Sequence, residues 1–121
     1  MRTLTLNEYQ EGAMSTCMES SHNFMYMLSG LTAEVGEVND KIAKAIRKEW
    51  IKIENNNIVP LLGCPIDFTI ELAKEISDIQ WFVAGMSATI GYELNKIGNI
   101  NLEKLASRKQ RGVIDGNGDN R

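Results

Sequence analysis

The sequence predicts an all-α fold, a bundle of about four helices in a single domain over residues 1–121. Three observations predict it. Proline occurs only at Pro60 and Pro65, so long helices are permitted on either side of that segment. Two long stretches carry apolar residues at spacings of three and four. Little alternating β pattern is evident elsewhere.

Taken in order, Asn7 is the expected N-cap of a first helix, with Gln10 placed as in a capping box, and that helix runs to about Met18. The polar stretch from Glu19 to Asn23 reads as a turn. A second helix covers about Phe24 to Trp50, with Leu31, Val35, Val38, Ile42 and Ile46 as its apolar stripe. Residues 51–66 contain three asparagines, Gly63 and both prolines, and read as a loop or insertion. Asp67 caps a third helix that ends near Gly91, with Leu72, Ile76, Ile79, Val83, Met86 and Ile90 as its stripe. A fourth helix covers about Glu93 to Gln110, and the Gly/Asn-rich residues 112–121 form an irregular tail.

Composition narrows the partners. A net charge of -3 argues against bulk binding to nucleic acid, whose backbone demands lysine and arginine. It leaves room for a small anion held through a metal ion. The two cysteines, Cys17 and Cys64, are too few for a disulfide scaffold and read as reduced. His22 is the single histidine and is expected at the surface. The N-terminal residues lack the apolar run of a signal peptide, and no stretch is long enough to span a membrane. A cytoplasmic location is the expectation.

Two acidic pairs stand out: Glu34 with Glu37, and Glu75 with Asp78. Each puts two carboxylates about one turn apart on one helical face. Such pairs are common on solvated surfaces, and one alone is weak evidence. Their placement is more telling. At 100° per residue, both pairs fall roughly 60° and 120° to the same-handed side of their apolar stripes. If the two helices pack stripe to stripe and antiparallel, as a modest connection favours, all four carboxylates gather beside the core. Repulsion among them is relieved by a divalent cation, and oxygen-only donors select Mg²⁺, with Mn²⁺ as a substitute. Gly36, between the first two acids, costs about 1 kcal/mol against alanine in mid-helix. Close approach of a helix or a ligand would account for it.

These residues resemble the MazG-like nucleotide pyrophosphohydrolases of the all-α NTP pyrophosphatase group. The likeness runs through GLTAEVGEVNDKIAKAIRK (30–48), ELAKEISDIQWFVAGMSATIG (71–91) and NLEKLASRKQRGVIDGNGDNR (101–121). The resemblance implies metal ligation by Glu34, Glu37, Glu75 and Asp78, with Glu34 or Glu37 assisting as general base. It implies Mg²⁺-dependent cleavage of a nucleoside triphosphate to monophosphate and pyrophosphate. Residues 51–66 depart from the compact members of the group and leave the substrate open.

Further residues carry lesser expectations. Lys104, Arg108, Lys109 and Arg111 complement the dipole at the end of the fourth helix. By resemblance, Lys104 and Arg108 contact phosphate, with Asn101 nearby. Lys41 pairs with Glu37 or touches phosphate. Phe82 packs in the core or walls a base pocket, and Trp81 lies off the stripe, facing an oligomer contact. The methionine-rich segment from Met14 to Met27 reads as adaptable core. A homodimer or homotetramer is expected, since long helices in a small chain leave apolar surface bare. The alternatives are a dUTP/dCTP-specific pyrophosphatase, a phosphoribosyl-ATP pyrophosphohydrolase, or a non-enzymatic helical interaction module.

Overall fold

A computed structural model describes residues 1–121. Its element order is α1 (Leu6–Met14), a 3₁₀ turn (Glu19–Ser21), α2 (Phe24–Arg47), β1 (Ile51–Glu54), β2 (Asn57–Pro60), α3 (Phe68–Thr89) and α4 (Leu94–Arg111). The chain is mostly helical, as the sequence predicts. No helix is long and apolar enough to cross a membrane.

The cap of α1 is Thr5, not Asn7. The Thr5 hydroxyl accepts from the Glu8 amide (3.1 Å) and the Glu8 carboxylate accepts from the Thr5 amide (3.4 Å), a closed capping box. Asn7 is used across helices. Its side-chain oxygen accepts from the Asn95 amide (2.8 Å), and its own amide donates to the Asn95 side chain (3.2 Å). The helix stops at Met14, four residues short of the expected end.

Residues 51–66 are not an unstructured insertion. Helix α2 closes in a Schellman motif: the Glu49 amide donates to Ile46 O (3.0 Å) and the Trp50 amide to Ala45 O (2.9 Å). The chain then forms an antiparallel hairpin with Ile51 opposite Pro60 and Glu54 opposite Asn57. The two turn residues, Asn55 and Asn56, have φ of 51° and 63°. A two-residue hairpin turn of this kind needs left-handed backbone at both positions, which asparagine tolerates.

Helices α2 and α3 form the spine and run antiparallel. Met27, early in α2, meets Gly85, late in α3. Gly30 meets Phe82. Ala45, near the end of α2, clusters with Phe68 at the start of α3 and with Ile51 of the hairpin. At the opposite end, Ala13 of α1, Ala84 of α3 and Leu94 of α4 form a second cluster, with Trp81 and Ile97 packed against it. The Trp81 indole N–H donates to Ala13 O and Thr16 Oγ1, both at 3.1 Å. Trp81 is therefore half-buried and packs against α1 within one copy.

The seam differs in part from the expected one. Antiparallel packing holds, with Leu31, Val38, Ile42, Leu72, Ile79, Val83 and Met86 of the stripes half-buried. Close approaches fall beside them, at Met27–Gly85, Gly30–Phe82 and Lys41–Glu75. The stripes turn partly outward: Val35 is 49% exposed, Ile46 47%, Ile76 53% and Ile90 56%. Of the methionine-rich segment, Met27 is fully buried and Met14 half-buried, but Met18 (70% exposed) and Met25 (64%) face solvent, so the expected methionine core is corrected to Met27 and Met14.

Gly30, rather than Gly36, is the glycine that close packing requires. A Cβ at Gly30 would lie 2.1 Å from the Phe82 ring, whereas nothing lies within 4 Å of one at Gly36. Overpacking against a rigid ring costs roughly 1–3 kcal/mol, offset by a few tenths from better helix propensity. Gly30→Val is therefore expected to destabilise by about 2 kcal/mol, and Gly36→Ala to stabilise by up to about 1 kcal/mol. Urea unfolding of both variants checks the pair, and equal shifts would place the close approach elsewhere.

Candidate metal centre

The spine sets the acids at mid-seam, between the Gly30–Phe82 approach and the Ala45–Phe68 cluster. Glu34 projects from α2, and Glu75 and Asp78 project from α3. One carboxylate oxygen of each lies within 4.8 Å of the others. Adjacent ligands of an octahedral magnesium ion stand about 3 Å apart and opposite ones about 4.2 Å, so side-chain rotations that move the oxygens by about 1–2 Å would bring all three onto one ion. Three hard oxygen donors on two rigid helices suit such a cation.

Glu37 is not in this group. It is exposed on α2, one turn beyond Glu34, and of the expected four carboxylates three share the cluster. The reason is the rotated seam, which points Glu34 at α3 and leaves Glu37 at the rim. Its charge still reaches the cluster. The Glu34 carboxyl is raised above its ordinary value by partial burial first, then by Asp78, Glu75 and Glu37. The charge of Asp78 also reaches Tyr9 of α1, whose hydroxyl is pushed up by burial and then by that acid.

The raised Glu34 has a checkable sign. The folded chain binds a proton at Glu34 more readily than the unfolded chain, so stability falls as pH rises from the ordinary glutamate value, 4.5, through the raised one. Without divalent cation, the wild type should lose melting temperature across that window relative to Glu34→Gln. Parallel pH profiles would remove repulsion at Glu34 from the picture.

Lys41 does not pair with Glu37. Its Nζ reaches across the seam to Glu75 Oε1, 3.2 Å away. It thus stands beside the carboxylates, where it already neutralises part of their charge. Lys41 also lines a small hollow of about 190 Å³ with Lys44, Trp50 and Phe68. Phe82 lies one turn beyond Asp78. Its ring covers Gly30 and meets Tyr26 (centroids 5.9 Å apart) and Trp81 edge-on (4.9 Å).

The α4 residues lie apart from this centre. Asn101 is exposed. Lys104 and Arg108 face the tail, and no hydrogen bond or ion pair joins them to the carboxylates. The Asp119 side chain accepts from Lys104 Nζ (3.2 Å) and from Arg108 (2.9 Å). His22 is exposed and both cysteines are free, as expected.

The chain is similar to the Gene 37 protein of Mycobacterium phage L5, with 34% identity over 104 residues that span 85% of this chain and 81% of that protein. The chain belongs to that protein's family. The aligned length is enough to include most of the helical spine. No family model and no solved structure matches the chain.

Proposed function

We propose that this chain is a Mg²⁺-dependent nucleoside triphosphate pyrophosphohydrolase, yielding a nucleoside monophosphate and pyrophosphate. The observation that carries the proposal is the convergence of Glu34, Glu75 and Asp78 from two antiparallel helices. The ordered acid pairs and the resemblance of the sequence to MazG-like enzymes support the same reading.

When bound, Mg²⁺ neutralises phosphate charge and lowers the pKa of an attacking water. Glu75, Asp78 and Glu34 would hold the cation. Glu34, within that group, is one candidate general base. Glu37, at the rim, is the alternative base. Lys41, 3.2 Å from Glu75 and beside the carboxylates, would contact the phosphates. Phe82 would border the base. Lys104, Arg108 and Asn101 are phosphate contacts only by the resemblance, since Lys104 and Arg108 are engaged with Asp119 rather than with the carboxylates.

A homodimer or homotetramer is part of the proposal. Only 11 of 121 residues are buried, and one copy leaves Val35, Ile46, Ile76 and Ile90 of its stripes exposed. The cytoplasm, with its millimolar magnesium and nucleotide pool, is the proposed setting, and removal of unwanted nucleotides the proposed role.

The exposed stripes also favour a second reading, a non-enzymatic helical interaction module. A panel of canonical and modified nucleoside triphosphates incubated with Mg²⁺ separates the two. Monophosphate and pyrophosphate in equal amounts support the hydrolase. Absence of turnover across the panel favours the module.

A further inference from the structure

The tail is tied down chiefly by arginines. Arg111 donates to Arg121 O (2.6 Å), and Arg121 donates to Val113 O (3.0 Å) and to Gly118 O. These bonds fold residues 112–121 back along the end of α4. The fold brings Asp119 to Lys104 and Arg108.

The geometry there is unusual for a surface ion pair. An ammonium and a guanidinium converge on the same atom, Asp119 Oδ1, at 3.2 and 2.9 Å. Arg108 also donates to Gly118 O (3.4 Å) and Asp119 O (3.3 Å). The two sides differ sharply in exposure: the Arg108 side chain is 6% exposed and that of Asp119 81%. Arg108 Nε is buried without a partner. A fixed, buried cation with unused donor capacity thus faces a solvated acid that is free to leave. The pull of both cations holds the Asp119 carboxyl below its ordinary value, so it stays charged at neutral pH.

We infer that Lys104 and Arg108 form an oxyanion site for a phosphoryl group, and that Asp119 occupies it as an internal competitor until a phosphate displaces it. This rests on the reading of Lys104 and Arg108 as phosphate contacts, though not on the carboxylate centre. Two cations sharing one oxygen is an arrangement that a phosphoryl oxygen can take over directly. Pyrophosphate brings more charge than one carboxylate. Displacement is eased because the Asp119 side chain, 81% exposed, stays solvated when it leaves.

The test is calorimetric titration of inorganic pyrophosphate into the full chain, with chelator present to exclude divalent cations. Asp119→Asn keeps the tail's shape and removes the competing charge. It should bind pyrophosphate about threefold to tenfold more tightly than the wild type. Adding Lys104→Met to Asp119→Asn should abolish that gain, and the same gain should appear in an Asp78→Asn background. Equal or weaker binding by Asp119→Asn, with an unchanged circular dichroism spectrum, overturns the inference, as does absence of binding in both proteins. Failure of the wild type to hydrolyse nucleotides overturns only the proposed activity.

Discussion

Asp78→Asn should lower pyrophosphate release by roughly a hundredfold or more while leaving the fold intact. The asparagine keeps the shape of the side chain but weakens a cation ligand. Nothing in the fold depends on the carboxylate. Asp78 is exposed, makes no hydrogen bond within the chain, and acts on its neighbours by repulsion. Activity and stability therefore move in opposite directions: the metal-free variant should melt at or above the wild-type temperature. Glu37→Gln is the internal comparison. Glu37 lies outside the three-carboxylate group, so its loss should reduce activity less than loss of Asp78. Steady-state release of pyrophosphate, with thermal denaturation of the same samples, reads both effects. Full activity in Asp78→Asn would remove that residue from the site.

Gln10→Leu should cause the largest loss of stability. Gln10 is buried where α1, α3 and α4 meet. Its amide nitrogen donates to Ala84 O (3.2 Å) and Tyr92 O (3.0 Å), and its oxygen accepts from the Leu94 amide (3.0 Å). The Leu94 amide opens α4, and Glu93 provides no side-chain cap. Gln10 thus serves as the missing cap from another helix. Leucine fills a similar volume but leaves the buried Leu94 N–H without a partner. Stranding that amide and breaking two further bonds costs about 3 kcal/mol, or roughly 10–15 °C in melting temperature for a chain of this size. A shift of only a few degrees would mean that water replaces the glutamine and that the junction is wetter than described.

The helices were legible because their signals are local. Apolar spacing, the two-proline segment and the polar breaks located all four within a few residues. Antiparallel packing of α2 and α3 also follows from chain connectivity. The hairpin was legible in principle: Ile51-Lys52-Ile53-Glu54 alternates with period two and meets a pair of asparagines. The helical bias around it and the two prolines masked that pattern.

What sequence could not supply was rotation about the helix axis. The apolar stripe is the natural candidate for the inner face. Gly30 and Gly85 add close approaches beside that stripe, while Val35 and Ile46 at its edge are exposed. That rotation explains why Glu34 entered the cluster and Glu37 did not, and why Lys41 reached Glu75. Asn7 and Gln10 read as local caps in the sequence, but their partners lie 74 to 88 residues away, beyond any local pattern. The grip of Asp119 on Lys104 and Arg108 likewise depends on how the tail folds back.

Calorimetric titration of Mg²⁺ into the wild type and into Asp78→Asn, at neutral pH and without nucleotide, bears most directly on the shared carboxylate centre. The wild type should bind saturably and gain about 2.7 kcal/mol of stability at a hundred times the dissociation constant, and the variant should bind far more weakly. Equal heats in the two proteins, or no heat in either at millimolar Mg²⁺, would mean that Glu34, Glu75 and Asp78 hold no ion.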